Sequence, residues 1–292
     1  MDLVARVPRM PRPGETLGGE SLLVNPGGKG ANQAVACARQ GARVQMVGRV
    51  GDDVFADQLR SALDAQQVGH ADVRSTAGTS TGVAMILVDD RAQNCITVIP
   101  GANALVTSAD AEALRAHLAQ ASMLLLQLEV PVPAVVRAAE VAREAGCAVL
   151  LNPAPAQALP AELWRSVDIL VVNESEAGLL SGLPSVTRSN APEAGNLLRR
   201  HGPADVLVTL GEQGVVWCSA AGATHFDARP VQPVDTTAAG DTFIGALAAM
   251  RAEGRPMAEG IAHAIRAAAI CVTRPGAQAS MPTRAEVDTF PR

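Results

Sequence analysis

Between residues 108 and 209 the sequence alternates between segments of helical periodicity and short apolar runs, and this alternation narrows the choice of fold more than any other feature. Helices are expected over 108–120, 131–145, 174–180 and 191–201. Apolar runs at 123–128, 148–151, 169–172 and 206–209 fall between them. The runs are apolar at nearly every position instead of every second one, as strands covered on both faces require. Such a succession builds an α/β domain: a doubly wound, mostly parallel sheet flanked by helices.

The flanking segments fit around that domain. A strand at 3–7 is followed by Pro8, Pro11 and Pro13, which enforce a loop. Further strands are expected at 16–24 and 44–47, and a hairpin at 81–88 and 95–99 with its loop at 89–94. A Gly-rich turn from Gly27 is expected to feed a helix over 31–39, further helices are expected at 53–65, 239–251 and 258–272, and a second hairpin at 214–226. The strands near 3–7, 16–24 and 81–99 stand outside the alternation, so they are expected to form a small β-sheet lid on one 292-residue domain.

Composition removes several classes of function. Aromatic residues are 2% of the chain, with no Tyr, so a stacking platform for single-stranded nucleic acid has nothing to build on. A net charge of −5 lacks the basic footprint of nucleic-acid binders. No apolar window is long enough for a membrane span, and residues 1–13 lack the apolar centre of a secretory signal. The five Cys are far apart with no CxxC, which suits a reducing cytoplasm. The five His show no close ligand spacing.

Ligands of an open parallel sheet bind beyond the carboxyl ends of its strands. Glu129, Asn152, Asn173 with Glu176, Gly211 with Gly214, and Asp235 through Asp241 follow the apolar runs directly. In Asp235-Thr236-Thr237-Ala238-Ala239-Gly240-Asp241, small residues at a helix start let backbone N–H groups approach an anion. An Asp there repels a phosphate but suits proton abstraction, although a helix cap would use the same residue. Asn173 and Glu176, three apart, suit Mg²⁺ or equally a capping box. Lys29 is the single lysine among 24 Lys and Arg, and it lies in Gly27-Gly28-Lys29-Gly30. That loop is not a Walker A motif, and no GxGxxG joins a strand to a helix.

Together, Pro13-Gly14-Glu15-Thr16, Gly27 through Gln33, Asn152-Pro153-Ala154-Pro155-Ala156, Asn173 through Glu176 and Asp235 through Asp241 resemble, in order and spacing, the ribokinase/PfkB family of carbohydrate kinases. The resemblance covers essentially the whole chain. It implies ATP-dependent phosphorylation of D-ribose at its 5-hydroxyl, or of another unphosphorylated sugar such as deoxyribose or fructose. By that resemblance Asp241 is the base and Ala238, Ala239 and Gly240 form the anion hole. Asp2, Gly28, Lys29, Gly30, Ala31, Asn32 and Glu129 would hold the sugar. Thr209, Leu210, Gly211, Glu212, Gln213, Gly214 and Ile265 would line the nucleotide site, with Ile265 near the adenine. Asn173 and Glu176 would hold Mg²⁺ through water. Asp235, Thr237, Cys271, Arg274, Gly276 and Ser280 match the family's site for a monovalent cation such as K⁺. The lid matches one that clasps a homodimer. The family's opening core strand, which ends in Gly-Ser-x-Asn, is expected to be absent ahead of Asp2. Its absence would leave a sheet edge exposed and Asp2 at a frayed terminus. A weakly catalytic sugar- or nucleotide-binding protein is the alternative that this departure raises.

Overall fold

The computed structural model describes residues 1–91 and 93–291. In chain order the elements are β1 (Asp2–Val7), β2 (Ser21–Asn25), α1 (Lys29–Arg39), β3 (Gln45–Val50), α2 (Val54–Ala65), β4 (Gly69–Ser75), β5 (Val83–Asp89), β6 (Asn94–Ile99), α3 (Ser108–Glu112), α4 (Arg115–Leu118), β7 (Met123–Leu126) and α5 (Val132–Glu144). There follow β8 (Ala148–Leu151), α6 (Ala161–Trp164), β9 (Ile169–Asn173), α7 (Glu174–Ser181), α8 (Ala191–Arg199), β10 (Asp205–Thr209), β11 (Val215–Ser219), β12 (Gly222–Phe226), α9 (Ala239–Ala252), α10 (Met257–Val272) and α11 (Arg284–Thr289). Of the expected hairpin loop 89–94, Ala92 lies outside the described residues.

The main sheet has the order β12-β11-β10-β9-β8-β7. Strands β7 to β10 are parallel, and β11 and β12 are antiparallel additions. Sequential parallel strands with right-handed crossovers put α5 to α8 on one face. The other face is covered by α1, α9, α10 and α11, drawn from both ends of the chain. Side chains alternate between two apolar clusters: Val149 and Leu151 of β8 join the first, and Leu150 the second. Leu170 and Val172 of β9 face one side, and Ile169 and Val171 the other. This double burial explains why the runs are apolar throughout.

Two sheet edges stand open. Among the described residues β7 has no partner beyond β8, and β3 pairs only with β4. All four residues of β7, Met-Leu-Leu-Leu, are only half-buried, whereas the last three of β8 are fully buried. The terminus is nevertheless not frayed. Met1 is buried, its ammonium donates to the Gly82 carbonyl at 2.8 Å, and it feels the charges of Glu129, after β7, and Asp53, after β3.

The lid is a four-stranded sheet of order β2-β1-β5-β6. Its second strand begins at Ser21, so residues 16–20 lie outside the strand expected there; Glu20 only makes the first backbone bond back to Arg6. The register sets Leu22, Ala5, Leu87 and Cys95 in one row and Val24, Leu3, Met85 and Thr97 in another. Both rows face away from Asp2, because side chains alternate along a strand. Leu22 and Met85 are 64% and 52% exposed there.

Other differences have local causes. The helix expected over 108–120 is two short helices, the first held by a Thr107–Asp110 capping box whose Asp110 also pairs with Arg49 at 2.9 Å. β4 carries no apolar run because Val73 is its one buried residue. α11 is six mostly polar residues, made helical by a Thr283–Glu286 capping box.

Candidate active site

The carboxyl ends of β7 to β10 deliver Gln127 and Glu129, Asn152, Asn173 and Gly211 to one rim of the sheet. Two helix starts point at the same rim. α1 begins at Lys29 after Gly28, whose φ of 89° needs a glycine. α9 begins at Ala239 after Ala238, held in the left-handed region at φ 59°, which costs about 1 kcal/mol for a residue with a Cβ.

The α1 and α9 helices touch almost without side chains between them. A Cβ added at Gly245 would overlap that of Ala36 and lie 2.8 Å from the Cys37 amide nitrogen and the Gln33 carbonyl oxygen. This close approach brings Asn32 and Gln33 to Asp241, one turn before Gly245. Asn32 Nδ2 donates to Asp241 Oδ2 at 3.1 Å, and Gln33 Nε2 donates to Asp241 Oδ1 at 3.0 Å. Burial pushes the Asp241 carboxyl above its ordinary range, against the pull of Lys29 and of these two donors.

Around Asp241 the sugar-site candidates largely converge. The Lys29 backbone N–H donates to Glu129 Oε2 at 2.8 Å. The Asp2 carboxylate packs on Gly27, where any Cβ would overlap it. Burial raises the pKa of Asp2 and Glu129 as well, and the charge of Lys29 acts on Asp2, Glu129, Glu176 and Asp241 alike. Gly30 faces Gln127 and Met46. Ala31 instead packs into the apolar cluster under α1 and α2, so its side chain belongs to the core.

At the start of α9, Ala239 N–H makes a 3.3 Å bond to the Thr236 carbonyl, and Thr242 N–H bonds the Ala238 carbonyl at 2.8 Å. Among the described residues no protein acceptor meets the N–H of Gly240 or Asp241. These are the donors that a helix N-terminus offers an anion.

The two readings of Asn173 and Glu176 are compatible. The capping box is formed: Glu176 N–H donates to Asn173 Oδ1 at 2.8 Å, and Asn173 N–H to Glu176 Oε2 at 3.0 Å. Among the described residues no protein donor meets Glu176 Oε1, which leaves it open to a hydrated cation. Among the described residues no cluster of three or more His, Cys, Asp or Glu could hold a metal. The residues therefore fit Mg²⁺ held chiefly by phosphate and water, with one carboxylate oxygen beside it.

Behind α9, the monovalent-cation candidates gather in one loop pair. Asp235 accepts from the N–H groups of Thr237 and Gly276, both at 2.9 Å, and so ties the two segments. Cys271 Sγ lies 3.0 Å from Ser280 Oγ, and Arg274 pairs with Glu286 at 2.7 Å. Burial would raise Asp235, but its donors outweigh it and hold the carboxyl below its ordinary range.

In the nucleotide segment, Thr209 ends β10 with its hydroxyl on the Val172 carbonyl at 3.3 Å. The Leu210 N–H closes the turn on the Gly214 carbonyl at 2.8 Å, leaving Glu212 and Gln213 exposed. Gly214, at φ 91°, has no room for a Cβ against the Phe226 carbonyl. Ile265 is buried among Leu207, Val215 and Phe243. Sequence reading did not assign Gln33, Gln127, Gln278 or Asn152 a contact, yet these amides surround Asp241 or one another. The available signal was a Gln inside an otherwise small and apolar α1 segment.

Known proteins resemble this chain over nearly its whole length. The family model described as pfkB family carbohydrate kinase matches residues 1–284. The chain is 38% identical over 289 residues to the ribokinase of Haemophilus influenzae, covering 99% of this chain and 94% of that protein. It is 36% identical to the deoxyribokinase of Salmonella typhi, over 97% of this chain and 93% of that one. The structure of Arabidopsis thaliana ribokinase complexed with ribose and ATP superposes with a TM-score of 0.90 at 34% identity, covering 98% and 94% of the two chains. With that match over residues 1–284 and these relatives covered nearly end to end, the chain belongs to the pfkB family of carbohydrate kinases.

Proposed function

We propose that the chain transfers the γ-phosphoryl group of ATP to the 5-hydroxyl of ribose, giving ribose 5-phosphate and ADP. The observation that carries this reading is the buried Asp241 carboxylate. It lies in the first turn of α9, within the field of Lys29 and beside the unpartnered N–H groups of Gly240 and its own backbone. The hydroxyl proton passes to Asp241 as its oxygen attacks the γ-phosphorus and the bond to the β-phosphate oxygen breaks. The N–H groups at the start of α9 stabilise charge on the equatorial oxygens of the migrating group. Asp2, Glu129 and Asn32 accept from or donate to sugar hydroxyls, and residues 209–214 line the nucleotide. Asn173 and Glu176 would hold Mg²⁺ through water, and the ion would supply positive charge to the nucleotide phosphates. Asp235, Thr237, Cys271, Arg274, Gly276 and Ser280 lie in the segments that would hold a monovalent cation such as K⁺, whose charge would keep the loop before α9 in shape.

The apolar outer face of the lid supports a homodimer joined lid to lid. Five unpaired thiols, four of them buried, suit a reducing cytoplasm. No described helix is long and apolar enough to cross a membrane. Deoxyribose is the second reading, favoured by the similarity to a deoxyribokinase.

Asp241→Asn tests the reading. Turnover with ribose, Mg²⁺ and K⁺ should fall by about 10² or more, the low end for loss of a general base. Ribose affinity by calorimetry should stay within a few-fold. Near-normal turnover would reduce Asp241 to a structural residue, and turnover with deoxyribose well above that with ribose would select the second reading.

A further inference from the structure

Gln33 is a fully buried polar side chain on α1 for which the reaction has no direct use. Its amide makes three contacts. Nε2 lies 3.0 Å from Asp241 Oδ1 and 3.3 Å from Asn152 Oδ1, and Oε1 receives Gln127 Nε2 at 2.5 Å. A side-chain amide can in principle turn over and exchange its oxygen for its nitrogen. Here it cannot do so without loss, because the direction of the whole chain is anchored at one end. Asn152 Nδ2 donates to the Val171 backbone carbonyl at 3.1 Å, and a carbonyl only accepts. Asn152 therefore presents Oδ1 to Gln33, which must answer with Nε2. That nitrogen has two hydrogens, and the geometry gives one to Asn152 and the other to Asp241. Gln127 closes the far end by donating to Gln33 Oε1. The other Asp241 oxygen is treated alike: Asn32 Nδ2 donates to it, and Gln278 Nε2 holds Asn32 Oδ1 at 3.2 Å.

We propose that Gln33 is a positioning residue for phosphoryl transfer: an amide relay whose direction is set by the Val171 carbonyl makes it present only an N–H to Asp241, so that the carboxylate is held in its proton-accepting form and aimed at the sugar hydroxyl. The proposal rests on the reading of Asp241 as the base. Its physical need is plain. Burial acts to protonate Asp241, and the one counter-charge, Lys29 on α1, is shared with Asp2 on β1, Glu129 beyond β7 and Glu176 on α7, which the Asp241 charge itself raises. Two obligatory N–H donors oppose the cost of burial. Asn152 Nδ2 also lies 3.5 Å from Glu176 Oε2, so the relay ends beside the capping box at the phosphate side of the site.

The test compares Gln33→Leu, Gln127→Met and Asp241→Asn on the full chain, with kcat and kcat/KM for ribose measured from pH 5 to 9. Gln33→Leu should move the acid limb of kcat/KM upward by about one pH unit. It should lower kcat most on that limb, by up to about tenfold, with activity recovering at high pH. The KM for ribose should change less than about threefold, because Gln33 makes no sugar contact in this reading. Gln127→Met loosens the relay from its accessible end, so it reports even if Gln33→Leu does not fold; a smaller shift in the same direction is expected. If Asp241→Asn is inactive while both Gln variants keep the wild-type acid limb, the relay is refuted and the base stands. If Asp241→Asn is active, the base reading fails and the relay falls with it.

Discussion

Gly245→Ala probes the contact on which the site depends. The substitution has two opposing effects. Replacing glycine inside a helix favours folding by about 0.5–1 kcal/mol through the backbone entropy of the unfolded chain. Against this, the new Cβ meets Ala36 Cβ and two backbone atoms at 2.8 Å, which is 0.6 Å short of the 3.4 Å at which ordinary contact begins. Backbone atoms cannot rotate away, so α1 and α9 must part. Overpacking of a well-packed contact costs about 1–3 kcal/mol, so the net effect is destabilising by roughly 1–2 kcal/mol. For a chain of this size that lowers Tm by roughly 2–6 °C.

The same displacement reaches the chemistry. Asp241 stands one turn before Gly245, and Gln33 one turn before Cys37. A shift of 0.6 Å along the 3.0 Å bond from Gln33 to Asp241 would carry it past hydrogen-bonding distance. Differential scanning fluorimetry and steady-state kinetics should therefore show a lower Tm together with a lower kcat. Gly48→Ala is the control: no atom lies within 4 Å of its new Cβ, and its Tm should stay level or rise. A Gly245→Ala protein with wild-type Tm and kcat would mean that the helices have slack, and the argument that their contact sets the geometry of Asp241 would be wrong.

Two further outcomes follow from the sheets. Met85→Glu, in the apolar row of the lid that faces away from Asp2, should give a monomer by light scattering where the wild type gives a dimer; a Met85→Glu dimer would move the interface elsewhere. An apolar strand of about six residues fused ahead of Met1 should pair with the open edges of β7 and β3 and raise Tm, whereas the same segment carrying alternate prolines should not; equal melting of the two fusions would show that the edges do not accept a strand.

The parts of this fold that were legible in the sequence are those buried on both faces. β8, β9 and β10 are apolar at every position but their ends, Asn173, Asp205 and Thr209, because two clusters need them, and their bounds fall within a residue of expectation. β4 escaped because only Val73 needs to be apolar there. α11 escaped because six residues held by a capping box show no periodicity. The strand expected from residue 16 begins at Ser21 because Gly18 and Gly19 lie ahead of the pairing with β1. In the site, Asp241 and Lys29 stood out by type and place. Asn152 stood out by its place after a strand, but its contact with Gln33 did not, since it spans 119 residues and an amide in a sequence does not announce which way it will point. The two readings of Asn173 and Glu176 shared one spacing, and no sequence argument could separate them. The structure removes the need to choose, because the box uses one oxygen of Glu176 and leaves the other.

The charge pattern also bears on the kind of sugar the site accepts. Lys29 is the one lysine of the chain, and four carboxylates feel it. All four are raised by burial, and the three proposed for the sugar site, Asp2, Glu129 and Asp241, would each gain from a neutral hydroxyl that donates to it. A polyol supplies several such donors and adds no charge. A sugar that already carries a phosphate would bring about two negative charges into the same field, with a single ammonium to meet them. The N–H groups at the start of α9 do not help, because the migrating phosphoryl group occupies them. In the proposed reaction, the excess of carboxylate around Lys29 would therefore disfavour a phosphorylated sugar. The choice between ribose and deoxyribose is different in kind: it turns on one hydroxyl, and on whether a buried acceptor is left without a donor when that hydroxyl is missing.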